Sequence, residues 1–410
     1  MEFLSILWTL ASYASIAILA AILGYDIYYD MKRTHIPPGI PRGKKLRLFN
    51  FILNMAFGVA VLLEKLGICH RYKIWRAIFK GIPPKKTSKL IIKDLTFDEV
   101  PVRVYWPTTT PVGNRRGLVY THGGIGIIGT IEAYERLCRY IARRSDSVVV
   151  NVGFRLAPEH PYPVPVLDCC TATIHFLKHA EEYGVDPHRI AIGGDSSGGT
   201  FATAVCQHLV TRKDLPKLRA QILLYPFLQG VDFSLPSYQQ NHSVPVLFQK
   251  RLLKHGSVYL TGTYLCTEDI LKSAHVSEEM RAKYSEWISA KNIPEEFKAR
   301  GYTPVGPAPF SKESYEKAKG IFEPMFSPLL AEDGVVHQLP ETFILTCEYD
   351  VVRDDGLLYK KRLEDHGVPV TWCHVQDGFH GILCLIDYGP LEFPNTRSSM
   401  KRIVHFLKGL

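Results

Sequence analysis

The chain predicts an α/β fold: a mostly parallel central sheet with helices on both faces, a helical cap, and a transmembrane helix in front. Three observations carry this. Short runs of Val, Ile and Leu recur with helical patterns between them. One run leads into a glycine- and serine-rich turn, IAIGGDSSGG (Ile190–Gly199), that opens a helix. The start of the chain holds no charge from Phe3 to Tyr25. Runs nearly continuous in branched apolar residues suit strands buried on both faces of a parallel sheet. Helices between them complete repeated strand–helix–strand units.

Residues 3–25, FLSILWTLASYASIAILAAILGY, come first. About 23 such residues cross a hydrocarbon core of roughly 30 Å as a helix. A cleaved signal peptide would open on basic residues and stop sooner. This chain opens Met1-Glu2, so an uncleaved signal anchor is expected. Lys32, Arg33, Arg42, Lys44, Lys45 and Arg47 follow the span, which by the positive-inside rule puts the remainder in the cytosol. The sequon Asn241-His242-Ser243 points the other way, since Asn241 is a glycosylation acceptor only on the lumenal side.

Residues 26–100 read as a linker and cap region. A Pro-rich link (Ile36–Pro41) precedes LFNFILNMAFGVAVLL (Leu48–Leu63), which is short for a span and contains Asn50 and Asn54. It reads as a buried helix, or as one that covers a pocket or dips into the membrane.

Core strands are expected at Val102–Trp106, Gly117–His122, Ser147–Phe154, Arg189–Gly194, Ala220–Pro226, Thr342–Cys347 and Val368–Val375. Residues 101–226 and 326–410 are therefore the two parts of the core. Residues 227–325 between them hold charged helical patterns such as TEDILKSAHVSEEMRAKYSEWI (Thr267–Ile288) and no clear strand. An insertion of that length is an added layer rather than a loop. It enters and leaves at strand ends, where it can roof a site.

Gly194-Asp195-Ser196-Ser197-Gly198 fits the Gly-x-Ser-x-Gly elbow, a turn so sharp that neighbouring side chains must be absent or small. Ser196 would project above the carboxyl edge of the sheet, where open α/β sheets place ligands. A Gly/Ser-rich turn without chemistry is the plain alternative. A serine hydroxyl needs a base, and the base needs an orienting group. In this type of fold the order is Ser, acid, His. LTCEYDVVRDDG supplies Asp350, with Glu348, Asp354 and Asp355 as rivals. VQDGFHGIL supplies His380 just past a strand, whereas His374 lies within one. An oxyanion needs backbone N–H donors. The turn YTHGGIGIIG offers the amides of Gly123 and Gly124, joined by that of Ser197, with His122 as a turn-fixing residue.

The net charge of +9 is scattered and forms no basic stripe among aromatics, which speaks against nucleic-acid binding. The nine cysteines contain no CxxC pair, which speaks against a zinc site. No metal or organic cofactor is called for.

The motifs HGG (His122–Gly124), FRLAPEHPYP (Phe154–Pro163), GDSSGG (Gly194–Gly199), YDVVRDDG (Tyr349–Gly356) and DGFHG (Asp377–Gly381) occur in this order. Together they resemble the hormone-sensitive-lipase branch of the α/β-hydrolase fold, and within it the arylacetamide deacetylase-like proteins. The resemblance implies Ser196 as nucleophile, Asp350 as orienting acid and His380 as base. It implies a cap from the N-terminal region and residues 227–325. It also implies a single-pass endoplasmic-reticulum protein with a lumenal catalytic domain, against the charge rule. Two positions depart from the family. Ile125 replaces a third glycine after His-Gly-Gly, and it can narrow the acyl pocket or shift the loop. Some relatives pair the cysteine three residues before the acid with one in the oxyanion loop; here Cys347 is in place but the matching loop position is Ile127, and that bond cannot form.

Two functions are carried forward. One is a membrane-anchored serine hydrolase acting on lipophilic esters or acetylated amides. The other is a non-catalytic carrier or receptor for a lipophilic ligand on the same fold, motivated by Ile125. An acyltransferase would use the same residues as the first.

Overall fold

The structure, a computed structural model, describes residues 2–85, 87–111 and 113–410. Eight strands form one sheet: β1 Leu90–Phe97, β2 Val100–Pro107, β3 Arg115–Thr121, β4 Val148–Val152, β5 Val185–Asp195, β6 Ala220–Leu224, β7 Glu341–Tyr349 and β8 Val370–Phe379. Their order is β1-β2-β4-β3-β5-β6-β7-β8. β2 runs antiparallel to both neighbours, and every pairing from β4 to β8 is parallel.

The longer helices are α1 Glu2–Arg33, α2 Gly43–Lys65, α3 Arg71–Phe79, α4 Glu135–Ser145, α5 Val164–Lys178, α6 Ser197–Leu209, α7 Gln249–Thr261, α8 Arg353–Asp365 and α9 Thr396–Gly409. One face of the sheet is covered by α4 and α9, through Leu137, Ile141, Met400 and Ile403. The other is covered by α5, α6 and α8, through Phe176, Phe201, Val205 and Leu358. β4 and β6 are buried at every residue, as strands covered on both faces must be.

The sheet starts earlier than the sequence suggests. β1 lies inside the stretch 26–100 that reads as linker and cap, and pairs along its whole length with β2. It is an edge strand: only Leu90 and Phe97 are buried, and Lys93 and Asp94 face solvent. Its mixed polarity hides it from a search for apolar runs. Between β6 and β7 the described residues contain no strand. They form α7 and shorter helical turns, and Leu252, Leu253, Tyr259 and Phe326 join the core on the α6 side of the sheet. The apolar run 48–63 lies in α2, which is not a fully buried helix: Leu46, Asn50, Leu53, Asn54 and Ala60 are buried, while Leu48 and Ile52 are exposed.

Candidate active site

β5 ends at Asp195 and α6 begins at Ser197, so Ser196 is the single residue of the turn. Its φ of 55° and ψ of −124° lie where side chains are rarely tolerated. Such strain persists only where the surroundings enforce it. Here the end of β3 crowds the turn. A Cβ on Gly194 would lie 2.3 Å from the Thr121 carbonyl oxygen, and one on Gly198 would lie 2.0 Å from it. The Thr121 hydroxyl donates to the Gly198 carbonyl at 2.8 Å and locks this approach.

The structure brings Ser196, His380 and Asp350 together. The Ser196 Oγ lies 2.8 Å from His380 Nε2, and His380 Nδ1 lies 2.8 Å from Asp350 Oδ2. His380 directly follows β8, and the Tyr225 ring meets it edge-on with centroids 5.1 Å apart. Asp350 directly follows β7 and is fully buried. The Val352 amide donates to its Oδ1 at 3.0 Å, which leaves Oδ2 for the histidine.

The rival acids are engaged elsewhere. Glu348 pairs with Arg300, Arg353 and His374. Asp354 accepts from Arg353 and from the Ser237 amide. Asp355 accepts from the Leu228 amide, Gln229 and the Tyr238 hydroxyl, and burial raises its pKa to about 7 despite these donors. His374 lies between Thr346 and Glu348.

Two expectations need correction. The Gly123 amide is not open to an oxyanion, because it donates to Asp195 Oδ1 at 3.0 Å. Gly124, Ile125 and Ser197 keep amides with no acceptor among the described residues. Ile125 has a φ of 58° and lines the same cleft as Ser196 and Ser197. Asn241, the sequon residue, is fully buried. Its amide nitrogen donates to the carbonyls of Asp350 at 2.8 Å and Glu348 at 3.1 Å. A glycan has no room there, and Asn241 instead holds the loop that carries Asp350.

Sequence reasoning missed Asp195, the residue between the glycine and serine of the elbow. Its carboxylate is buried and accepts from the hydroxyls of Tyr120 and Tyr134, both at 2.9 Å, as well as from Gly123. Burial pushes its pKa up, against the pull of those three donors. One acid thus ties the turn after β3 to the turn after β5. Nothing in the sequence distinguishes it from a solvated loop acid. His122 stacks between Tyr134 and Phe154, and its Nδ1 lies 2.9 Å from the Gly123 carbonyl. Burial lowers its pKa to about 4, so it stays neutral.

Ser196 opens into a narrow cleft that encloses about 660 Å³ of empty space, its open mouth included. The walls are almost wholly apolar, with Phe227, Phe233 and Phe326 beside Leu252, Leu253 and Tyr259 of α7. All nine cysteines are free, and no group of His, Cys, Asp and Glu among the described residues is arranged to hold a metal.

Residues 118–278 and 291–384 match the family described as alpha/beta hydrolase fold. Human arylacetamide deacetylase-like 3 is 43% identical over 377 residues, covering 92% of this chain and 92% of its own. Human arylacetamide deacetylase-like 4 is 41% identical over 386 residues, covering 94% and 95%. Bovine arylacetamide deacetylase is 39% identical over 384 residues, covering 91% and 94%. A thermostable esterase from Pseudomonas putida overlays with a TM-score of 0.63 at 22% identity, over 92% of this chain and 98% of its own, a likeness of fold alone. With the family match running through most of the core and these relatives spanning nine-tenths of the residues, the chain belongs to the α/β-hydrolase family, among the arylacetamide deacetylases and their homologues, and is an ester hydrolase of that type.

Proposed function

We propose that the chain is a membrane-anchored serine hydrolase that cleaves lipophilic carboxylic esters or acetylated amides through an acyl-enzyme. The observation that carries this is the hydrogen-bonded line Ser196–His380–Asp350, each step 2.8 Å, opening into an apolar cleft. Ser196 Oγ attacks the carbonyl carbon while His380 Nε2 takes its proton. Asp350 holds the imidazole and stabilises the cation that forms. The amides of Gly124, Ile125 and Ser197 face the developing oxyanion. Replacing a glycine by Ile125 adds a side chain but keeps the N–H, which supports catalysis over a dead binding site. His380 then protonates the leaving alcohol or amine, and the collapse of the intermediate leaves the acyl group on Ser196. Water, activated by His380, releases the acid and frees the serine.

The anchor is α1. Its 32 residues reach about 48 Å as a helix, more than a hydrocarbon core of roughly 30 Å. Among the described residues of the window Ser5–Ile22, none is buried against the rest of the chain. The resemblance supports residence in the endoplasmic reticulum with the catalytic domain in the lumen, and protease protection of sealed microsomes tests that orientation. The chemistry is tested by hydrolysis of short p-nitrophenyl esters and by fluorophosphonate labelling of microsomal protein, beside Ser196→Ala. Activity and label that both vanish in the variant are expected. Equal background in both proteins would overturn the hydrolase reading.

A further inference from the structure

Helix α2 carries apolar residues on its exposed side, Leu48 and Ile52, as well as on its buried side, Leu46, Leu53 and Ala60. A helix on a soluble domain turns its apolar stripe inward and its polar face to water. The buried side of α2 carries Asn50 and Asn54 among its contacts, and Asn54 Oδ1 accepts from Arg251 at 2.9 Å. The line Leu48, Ile52, Met55, Val59, Leu62 and Leu66 follows helical spacing and holds no polar residue; Leu48, Ile52 and Leu66 are exposed, and Met55, Val59 and Leu62 are half-buried. No charge occurs anywhere between Leu48 and Leu63. Leu48 and Ile52 are 59% and 56% exposed, and past the helix Leu66 and Ile68 are 63% and 66% exposed. Apolar residues left exposed at both ends of one helix line mark an interaction surface.

Its position names the occupant. Only residues 34–42 separate α2 from α1, and the two helices touch. If α1 crosses a bilayer, α2 lies at that bilayer's surface. Exposed Lys44 and Lys65 stand at the two ends of α2, and exposed Lys73 and Lys80 lie on and just past α3, cations suited to lipid headgroups. A second crossing does not fit, since Leu46, Leu53 and Ala60 are buried and Asn54 is bonded to the body of the protein. A helix with one face on protein and the other apolar lies in the interfacial plane.

The same helix adjoins the cleft. Arg251 belongs to α7, whose Leu252, Leu253 and Tyr259 form cleft walls. Phe57 of α2 packs on Trp75 of α3 with centroids 4.5 Å apart, and Trp75 packs edge-on against His255 of α7 at 5.2 Å. We propose that the outer face of α2, continued by Leu66 and Ile68, is a lipid-docking surface seated in the leaflet where α1 is anchored, and that it delivers bilayer-dissolved substrate to the cleft. This rests on the membrane-anchored hydrolase reading above.

The test uses the full chain in phosphatidylcholine liposomes with a lipid-soluble diazirine and peptide mapping. Peptides of α1 and of the α2 outer face should be labelled, and the exposed apolar loop at Val305 and Phe310 should not. Label on α1 without label on α2 would overturn the proposal and leave the anchor intact. Label on neither would overturn the membrane reading itself. Cross-links between two copies through α2 would also overturn the proposal. A second arm compares Leu48→Asp/Ile52→Asp with wild type. Turnover of a long-chain ester dissolved in the bilayer should fall at least about tenfold, with hydrolysis of water-soluble p-nitrophenyl acetate unchanged. Equal turnover of both esters by both proteins would overturn delivery. Loss on both substrates marks a folding defect, and the labelling of wild type then decides.

Discussion

Replacing Asp195 tests whether a buried acid holds the oxyanion turn. Its Oδ1 accepts from the Tyr120 hydroxyl and the Gly123 amide, and its Oδ2 from the Tyr134 hydroxyl, at 2.9, 3.0 and 2.9 Å. Hydrogen bonds to a charged group contribute about 1.5–3 kcal/mol each. The cost of burying the carboxylate, seen in its raised pKa, offsets part of this. Asp195→Ala should therefore lose about 3 kcal/mol and leave the Gly123 N–H buried without an acceptor. Asp195→Asn keeps a carbonyl oxygen for Tyr120 and Gly123, and the Tyr134 hydroxyl can turn to accept from the new amide. It should lose only about 1 kcal/mol.

The effect on rate follows from the chain path. Gly123 leads directly to the Gly124 and Ile125 amides, so a loosened Gly123 misplaces them. Deleting an oxyanion donor outright costs about 10²–10³ in rate. Here His122 still pins the turn by stacking. A fall in kcat of about 10- to 100-fold is expected for Asp195→Ala and less than about tenfold for Asp195→Asn. KM should change little, because neither Asp195 nor Gly123 lines the cleft. Short-ester kinetics beside urea unfolding would measure both effects. A folded Asp195→Ala enzyme with wild-type kcat would refute the reasoning, as would equal losses in the two variants.

Asp350→Asn should lower kcat about 10⁴-fold by stabilising the wrong imidazole tautomer, while Glu348→Gln, at an acid paired with Arg300, Arg353 and His374, should stay within about tenfold in the same assay. Asp355, with a pKa raised to about 7, holds its proton more tightly folded than unfolded, where carboxyls titrate near pH 4. Stability should therefore fall as pH rises from about 4 to about 7, and Asp355→Asn should flatten that decline in thermal melts at several pH values. Asn241→Ala, which removes two hydrogen bonds to the Asp350 loop, the one to the Asp350 carbonyl buried, should cost about 1–3 kcal/mol in urea unfolding. Endoglycosidase should leave the mobility of the wild-type chain unchanged.

What the sequence makes legible follows from how strongly each feature constrains composition. A strand buried on both faces has no alternative to apolar residues, so β3 to β7 announce themselves through their buried stretches; β1, an edge strand with one face open, does not. The elbow is legible because the approach of Thr121 forbids side chains at Gly194 and Gly198, and that demand leaves a local pattern. Asp195 and Asn241 act through partners 61 to 109 positions away, and such pairings leave no local pattern. Gly123 and Gly124 look alike in sequence, and only the path of the backbone past Asp195 separates the engaged amide from the free one. Helix α2 is the sharpest case. Its asparagines argue in sequence against contact with lipid, yet they sit on the side packed against the catalytic body, where Arg251 reaches Asn54. A polar residue in an apolar run therefore weighs against a membrane surface only once the face it occupies is known, and on α2 that face is the buried one.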